Sequence, residues 1–236
     1  MLALAFCGCT ERSAVCNVAI CADSPPFAYV LDGELVGVDL ELGKAIAEKL
    51  GQRARIRGTD FDSLLETVAS GRADIAISNI SITEERKRIV DFSIPYSHSS
   101  IVVVYQKTCP YTKLSDLSGK RVGVQLGTTS ESYAVEKLGL RPVLARSMQE
   151  AAQLMKSARC DYVILDEGVA RNLVGQDNSL GCSDPLQMEL FGVAVRKGRD
   201  DLLEAANTVI RKLLDDGTID RWTREFNEAY VKSEEN

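Results

Sequence analysis

No apolar stretch in these 236 residues is long enough to cross a membrane, so the chain does not read as a transmembrane protein. Nor do the 28 Lys and Arg residues gather into a stripe; they are scattered among 34 Asp and Glu, for a net charge of −6. That pattern argues against a nucleic-acid partner. Seven cysteines occur, yet none forms the Cys-x-x-Cys spacing of zinc or redox sites, and no metal or cofactor is expected. Histidine is present once, at His98. What is there, 45% hydrophobic and 26% charged residues, is the composition of a globular protein with enough length for one large domain or two lobes.

Both ends of the cysteine set are informative. Met1 to Phe6 is almost wholly apolar and runs into Cys7-Gly8-Cys9. This reads as the tail of a leader, residues 1–13 with a linker, whose true start lies upstream; Cys9 or Cys7 is the candidate for lipidation, against a plain ragged terminus. The remaining five cysteines are odd in number; Cys160 and Cys182 are candidates for a disulfide, with buried thiols the alternative.

Along the chain, strand and helix patterns alternate. Asn17–Ala22 reads as a strand, and Asp32-Gly33 as a hairpin turn. Val38, Leu42, Ile46 and Leu50 recur every four residues before Gly51, which marks a helix and its stop. A second helix is expected over 62–70, capped by Asp62, followed by a strand over 73–78. Ser78 to Ser81 then stand at a strand tip, with Glu84 and Glu85 expected in the first turn of a following helix. Segment 64–79 is echoed by 151–166: helix, turn, Asp, apolar strand, polar tip. Two copies are too few for a solenoid, and the repetition predicts two facing βαβ lobes in an α/β fold. Lobe 1 is expected over 14–99 plus 194–236 and lobe 2 over 100–193, with a central cleft and a two-strand hinge.

Cleft-facing chemistry follows from those tips. Ser78, Asn79 and Ser81 offer polar groups, and Arg86 a planar fork suited to a carboxylate. In the second lobe Gln125 leads into Gly127-Thr128-Thr129, a glycine turn entering a helix, while Asp166 ends the echoed strand. A solvated helix arginine is the bland alternative for Arg86, a helix N-cap that for Asp166, and a hydrophobic staple that for Phe61.

Six motifs in order, Pro25-Pro26-Phe27, Leu35-Val36-Gly37-Val38-Asp39, Ser81-Ile82-Thr83-x-x-Arg86, Asp91-Phe92-Ser93-x-Pro95-Tyr96, Gly119-Lys120-Arg121-Val122-Gly123-Val124 and Gly127-Thr128-Thr129, resemble the polar amino-acid-binding receptors of bacterial ABC importers. The resemblance runs from about Asn17 to Phe226. It implies a hinge-closing periplasmic receptor, monomeric and without a catalytic step, that hands its ligand to a membrane permease. It also implies that Arg86 clamps the ligand carboxylate with the backbone at Ser81 and Thr129, that Asp166 pairs with the ammonium and that Phe61 packs on the ligand side chain. Ser24 stands where the family usually carries an aromatic. Asp23 and Gln125 remain for the side-chain end, which leans the ligand toward arginine or lysine and keeps glutamine open. A dehydratase on the same scaffold, of the cyclohexadienyl type, would need a general acid or base and has only Asp23 and Asp166 to offer; a sensing module is a further reading.

Overall fold

The computed structural model describes residues 14–234; Cys7, Cys9 and the leader expected at the N-terminus lie outside them. Its first sheet contains β1 (Val15–Ile20), β4 (Arg53–Gly58), β5 (Ile75–Ala76), β6 (Asp91–Phe92) and β13 (Ala194–Val195), in the order β4-β1-β5-β13-β6. β1 runs parallel to both β4 and β5. A hairpin of β2 (Tyr29–Leu31) and β3 (Glu34–Val36) turns at Asp32 and Gly33, whose φ values of 52° and 84° are the left-handed pair such a tight turn demands. Helix α1 (Val38–Lys49) buries Val38, Leu42 and Ile46 and stops at Gly51 with φ 67°.

The second sheet holds β7 (Ser97–Gln106), β8 (Val122–Gln125), β9 (Val143–Ala145), β10 (Tyr162–Asp166) and β11 (Leu180–Cys182), in the order β11-β7-β10-β8-β9. β12 (Gln187–Phe191) pairs antiparallel with the first half of β7, so that Ser97 faces Phe191 and Ile101 faces Gln187. The second half of β7 pairs with β10 inside the sheet. These two antiparallel strands therefore lead from one sheet to the other, and Ile82 N–H donates to the Leu190 carbonyl at 2.8 Å to tie the first lobe to them. Helices α6 (Asp200–Asp215) and α7 (Thr218–Glu234) close the chain; Leu202, Val209, Ile210 and Leu213 join the first lobe's core, with Trp222 and Phe226 packed against it. No helix among the described residues is long and apolar enough to cross a membrane.

The echoed halves occupy equivalent places. α2 (Leu64–Ala69) leads to β5 beside β1, and α4 (Met148–Lys156) leads to β10 beside β8. Their connecting turns share a left-handed residue, Gly71 at φ 75° and Ala158 at φ 55°. Asp166 caps α5 (Glu167–Gln176) by accepting the Gly168 N–H at 2.9 Å.

Four local expectations are corrected. Asp62 caps no helix: a short 3-10 turn over Phe61–Ser63 precedes α2, and its carboxylate accepts the Ser63 hydroxyl. The strand expected over 73–78 is confined to Ile75–Ala76, because the Asp74 carboxylate takes the Asn17 N–H at 2.8 Å in place of a ladder partner. No helix begins at Glu84; the Thr83 hydroxyl accepts the Arg86 N–H, one 3-10 turn over Arg86–Arg88 forms, and β6 follows at once. Cys160 and Cys182 are free thiols, as are Cys16, Cys21 and Cys109. Both pack on the core of the second lobe.

Candidate functional site

Arg86 is the centre of the site. The 3-10 turn that replaces the expected helix swings its side chain inward, where only 8% of the residue remains exposed. Nη1 donates to the Ser81 carbonyl at 3.0 Å, and Nη2 crosses to the second lobe to donate to the Gly127 carbonyl at 2.9 Å. Phe61 lies beneath the guanidinium, 5.7 Å from ring centroid to Cζ, a cation–π contact that fixes the plane of the fork. Burial pushes the Arg86 pKa down, and the Glu189 and Glu85 carboxylates push it back up.

Glu189 was not among the residues singled out from the sequence. It stands on β12 with 7% exposure, and its Oε2 accepts the Ser81 hydroxyl at 3.0 Å. Ser81 Oγ also lies 3.5 Å from Thr129 Oγ1 across the cleft. The signal that could have found Glu189 is its setting, Met188-Glu189-Leu190-Phe191: Met188 and Leu190 are exposed while Glu189 points inward with Phe191. A strand that turns its acid in and two apolar neighbours out has a reason for the inversion.

At the other end, Asp23 is buried and its Oδ2 accepts Gln125 Nε2 at 2.6 Å. Gln125 is itself 1% exposed and also donates to the Arg146 carbonyl. Ser24 accepts Asn79 Nδ2 at 3.0 Å, so a polar pair occupies the place where an aromatic was looked for. Asn79, at φ 48°, gives its N–H to Tyr96, whose hydroxyl donates to buried Asp39. Ser78 serves the scaffold: its hydroxyl donates to the Cys21 carbonyl and accepts the Cys21 N–H. Thus Arg86, Ser81, Thr129, Phe61 and Gly127 come together at one end and Asp23, Ser24, Asn79 and Gln125 at the other, while Ser78 is bonded behind them. Asp166, half-buried at its strand tip, meets Ser99 of β7 and interacts electrostatically with Glu189.

Three acceptor atoms in this group, Gln125 Oε1, Asp166 Oδ2 and Glu189 Oε1, are buried without a hydrogen-bond partner in the protein. Leaving such an atom unpaired costs about 1–3 kcal/mol, and more when it is charged. Together they ask for donors. Burial pushes the Asp166 pKa up to about 6, with the Glu189 charge adding to it and the Ser99 and Gly168 bonds opposing it. Asp23 is likewise raised by burial, against hydrogen bonds from Gln125 and Cys21. Beside Arg86 the cleft opens into a cavity of about 790 Å³ lined by Thr83, Gly127, Thr129 and Gln187 among others. No cluster of side chains suited to a metal ion occurs among the described residues.

Residues 16–229 match the bacterial extracellular solute-binding proteins, family 3. The chain belongs to that family. Among curated relatives of this solute-binding protein is the L-cystine-binding protein TcyJ of Escherichia coli K12, 34% identical over 83% of the chain and 76% of the relative. The ABC transporter arginine-binding protein 1 of the same organism is 32% identical over 87% and 89%. Among solved structures, a P235GK mutant of ArgBP from T. maritima superposes with a TM-score of 0.85 at 36% identity, covering 90% of this chain and 95% of that one. The two lobes and the mixed sheets found here fit that family, and the relatives named above are binding proteins of transporters or of amino acids by name.

Proposed function

We propose that this solute-binding protein is the extracytoplasmic receptor of an ABC importer for a cationic amino acid, arginine before lysine. In this reading residues 14–99 and those from 194 onward form one lobe, 100–193 the other, and β7 with β12 the hinge. The monomer captures its ligand when open, buries it on closing and presents the closed form to the permease. Arg86, over Phe61, holds the α-carboxylate, Asp166 and Glu189 take the α-ammonium, and Asp23 with Gln125 receives the side-chain cation.

The observation that carries the reading is the imbalance of buried charge. Asp23 and Glu189 are buried and Asp166 is half-buried, three carboxylates against one guanidinium, Arg86, the only buried cation among the described residues. A zwitterion with a neutral side chain would leave that excess of negative charge uncompensated on closure, and an isolated buried charge costs several kcal/mol. Arginine brings two positive groups for one negative. L-cystine, the ligand named for TcyJ, brings a second carboxylate for which the cleft has no second buried cation.

A thermal-shift screen of the purified protein against the twenty amino acids tests the class. A ligand at about 100 times its Kd adds about 2.7 kcal/mol of stability. Arginine and lysine are expected to give the largest shifts. A screen in which only glutamate and aspartate stabilise the protein contradicts the assignment.

A further inference from the structure

Gln149, the second residue of α4, lies outside the set that meets the ligand in the reading above. Its Nε2 nevertheless donates to the main-chain carbonyl of Asp23 at 2.7 Å, joining positions 126 residues apart. The two partners belong to different lobes: Asp23 follows β1 of the first sheet, and α4 packs on β8, β9 and β10 of the second. Where Arg86 and Gly127 meet, the lobes are bridged beside one opening of the cleft; Asp23 and Arg146 line a different one, with no residue in common. Closure is therefore fastened at two separate places. The acceptor here is a peptide carbonyl, so this bond is blind to the ligand's side chain.

We propose that Gln149 is a positioning residue that holds the closed form through Asp23 and so scales the affinity for every ligand by one common factor. The inference rests on the transport-receptor reading. When only the closed form retains ligand, apparent affinity follows the closed population. The Ser147 hydroxyl caps α4 through the Glu150 N–H at 3.0 Å, so the helix that presents Gln149 does not depend on Gln149 for its own start.

The test compares wild type with Gln149→Ala and with Gln149→Met, which keeps the length and neutrality of the side chain and cannot donate. Calorimetry with arginine, lysine and glutamine is expected to show each ligand weakened about two- to tenfold by either substitution, with the ratios between ligands unchanged. Unchanged affinities, or a change confined to one ligand, overturn the proposal. Should wild type bind no amino acid, the receptor reading fails, and small-angle scattering of the ligand-free protein then decides the matter. A larger radius of gyration for Gln149→Met supports the clasp, and an identical radius overturns it.

Discussion

Replacing Arg86 by alanine removes the only buried cation in the described structure along with its bonds to Ser81 and Gly127. Breaking a buried charge pair in this way costs about 3–5 kcal/mol, so calorimetry should show amino-acid binding weakened at least about a hundredfold, with a cooperative unfolding transition retained. Asp166 supplies the second test at this scale. With the lobes together, burial disfavours the anion and pushes its carboxyl up to about 6, whereas an ammonium ligand needs that anion. Binding below pH 6 must therefore expel a proton, and the Kd for arginine is expected to weaken by up to about tenfold per unit as pH falls below 6. Asp166→Asn should bind weakly at every pH and lose this dependence. An undiminished slope in the variant would place the titrating group elsewhere. Asp166 was legible because it ends the second copy of a repeated helix–strand unit, and Arg86 because it closes the Ser81-Ile82-Thr83-x-x-Arg86 motif. The sequence did not expose Glu189, whose role depends on a side-chain hydrogen bond from Ser81, 108 positions away.

Among the elements, the turn from β8 into α3 (Thr129–Ser132) carries a requirement that reaches across the cleft. Gly127 holds φ 77°, and a Cβ there would lie 2.8 Å from Cα of Asp62 in the opposite lobe. Gly127→Ala should hold the lobes apart: arginine affinity falls at least about tenfold, while the left-handed conformation costs the fold only about 1 kcal/mol. Equal losses of stability and affinity would mean that the substitution damages the turn and not closure. Long amphipathic helices such as α1 and α6 were readable from periodicity because their faces are set by local spacing. The short elements were not. β5 shrinks because Asp74 captures a donor of β1, and the turn at Arg86 is a single 3-10 turn because its side chain must reach Ser81 and Gly127. In both places a distant partner overrides the local pattern.

For the whole molecule, buried carboxyls set opposing pH trends for stability and binding. Asp39, fully buried and bonded to Tyr96, is pushed up to about 7, and Asp166 to about 6; burial is the main cause in each case. In the unfolded chain such groups ionise near ~4. Between those values the folded protein holds more protons than the unfolded one, so stability is expected to fall as pH rises from about 4 through 7. Thermal unfolding of the ligand-free protein should thus give a higher Tm at pH 5 than at pH 8, with a smaller difference in Asp39→Asn; a Tm that rises over this range contradicts the assignment. Arginine binding should change in the reverse direction. The two-lobed layout behind this was visible in the internal echo, whereas the direct contacts between lobes depend on how the halves meet and had no local signal.

The central claim is that the excess of negative charge in the cleft selects a positively charged side chain. Arginine and citrulline have nearly the same shape and differ in that charge, so their Kd values, measured by calorimetry at pH 7.5, test it directly. Citrulline is expected to bind at least about a hundredfold more weakly, since it leaves a buried carboxylate unpaired. Equal affinity for the two would contradict the account.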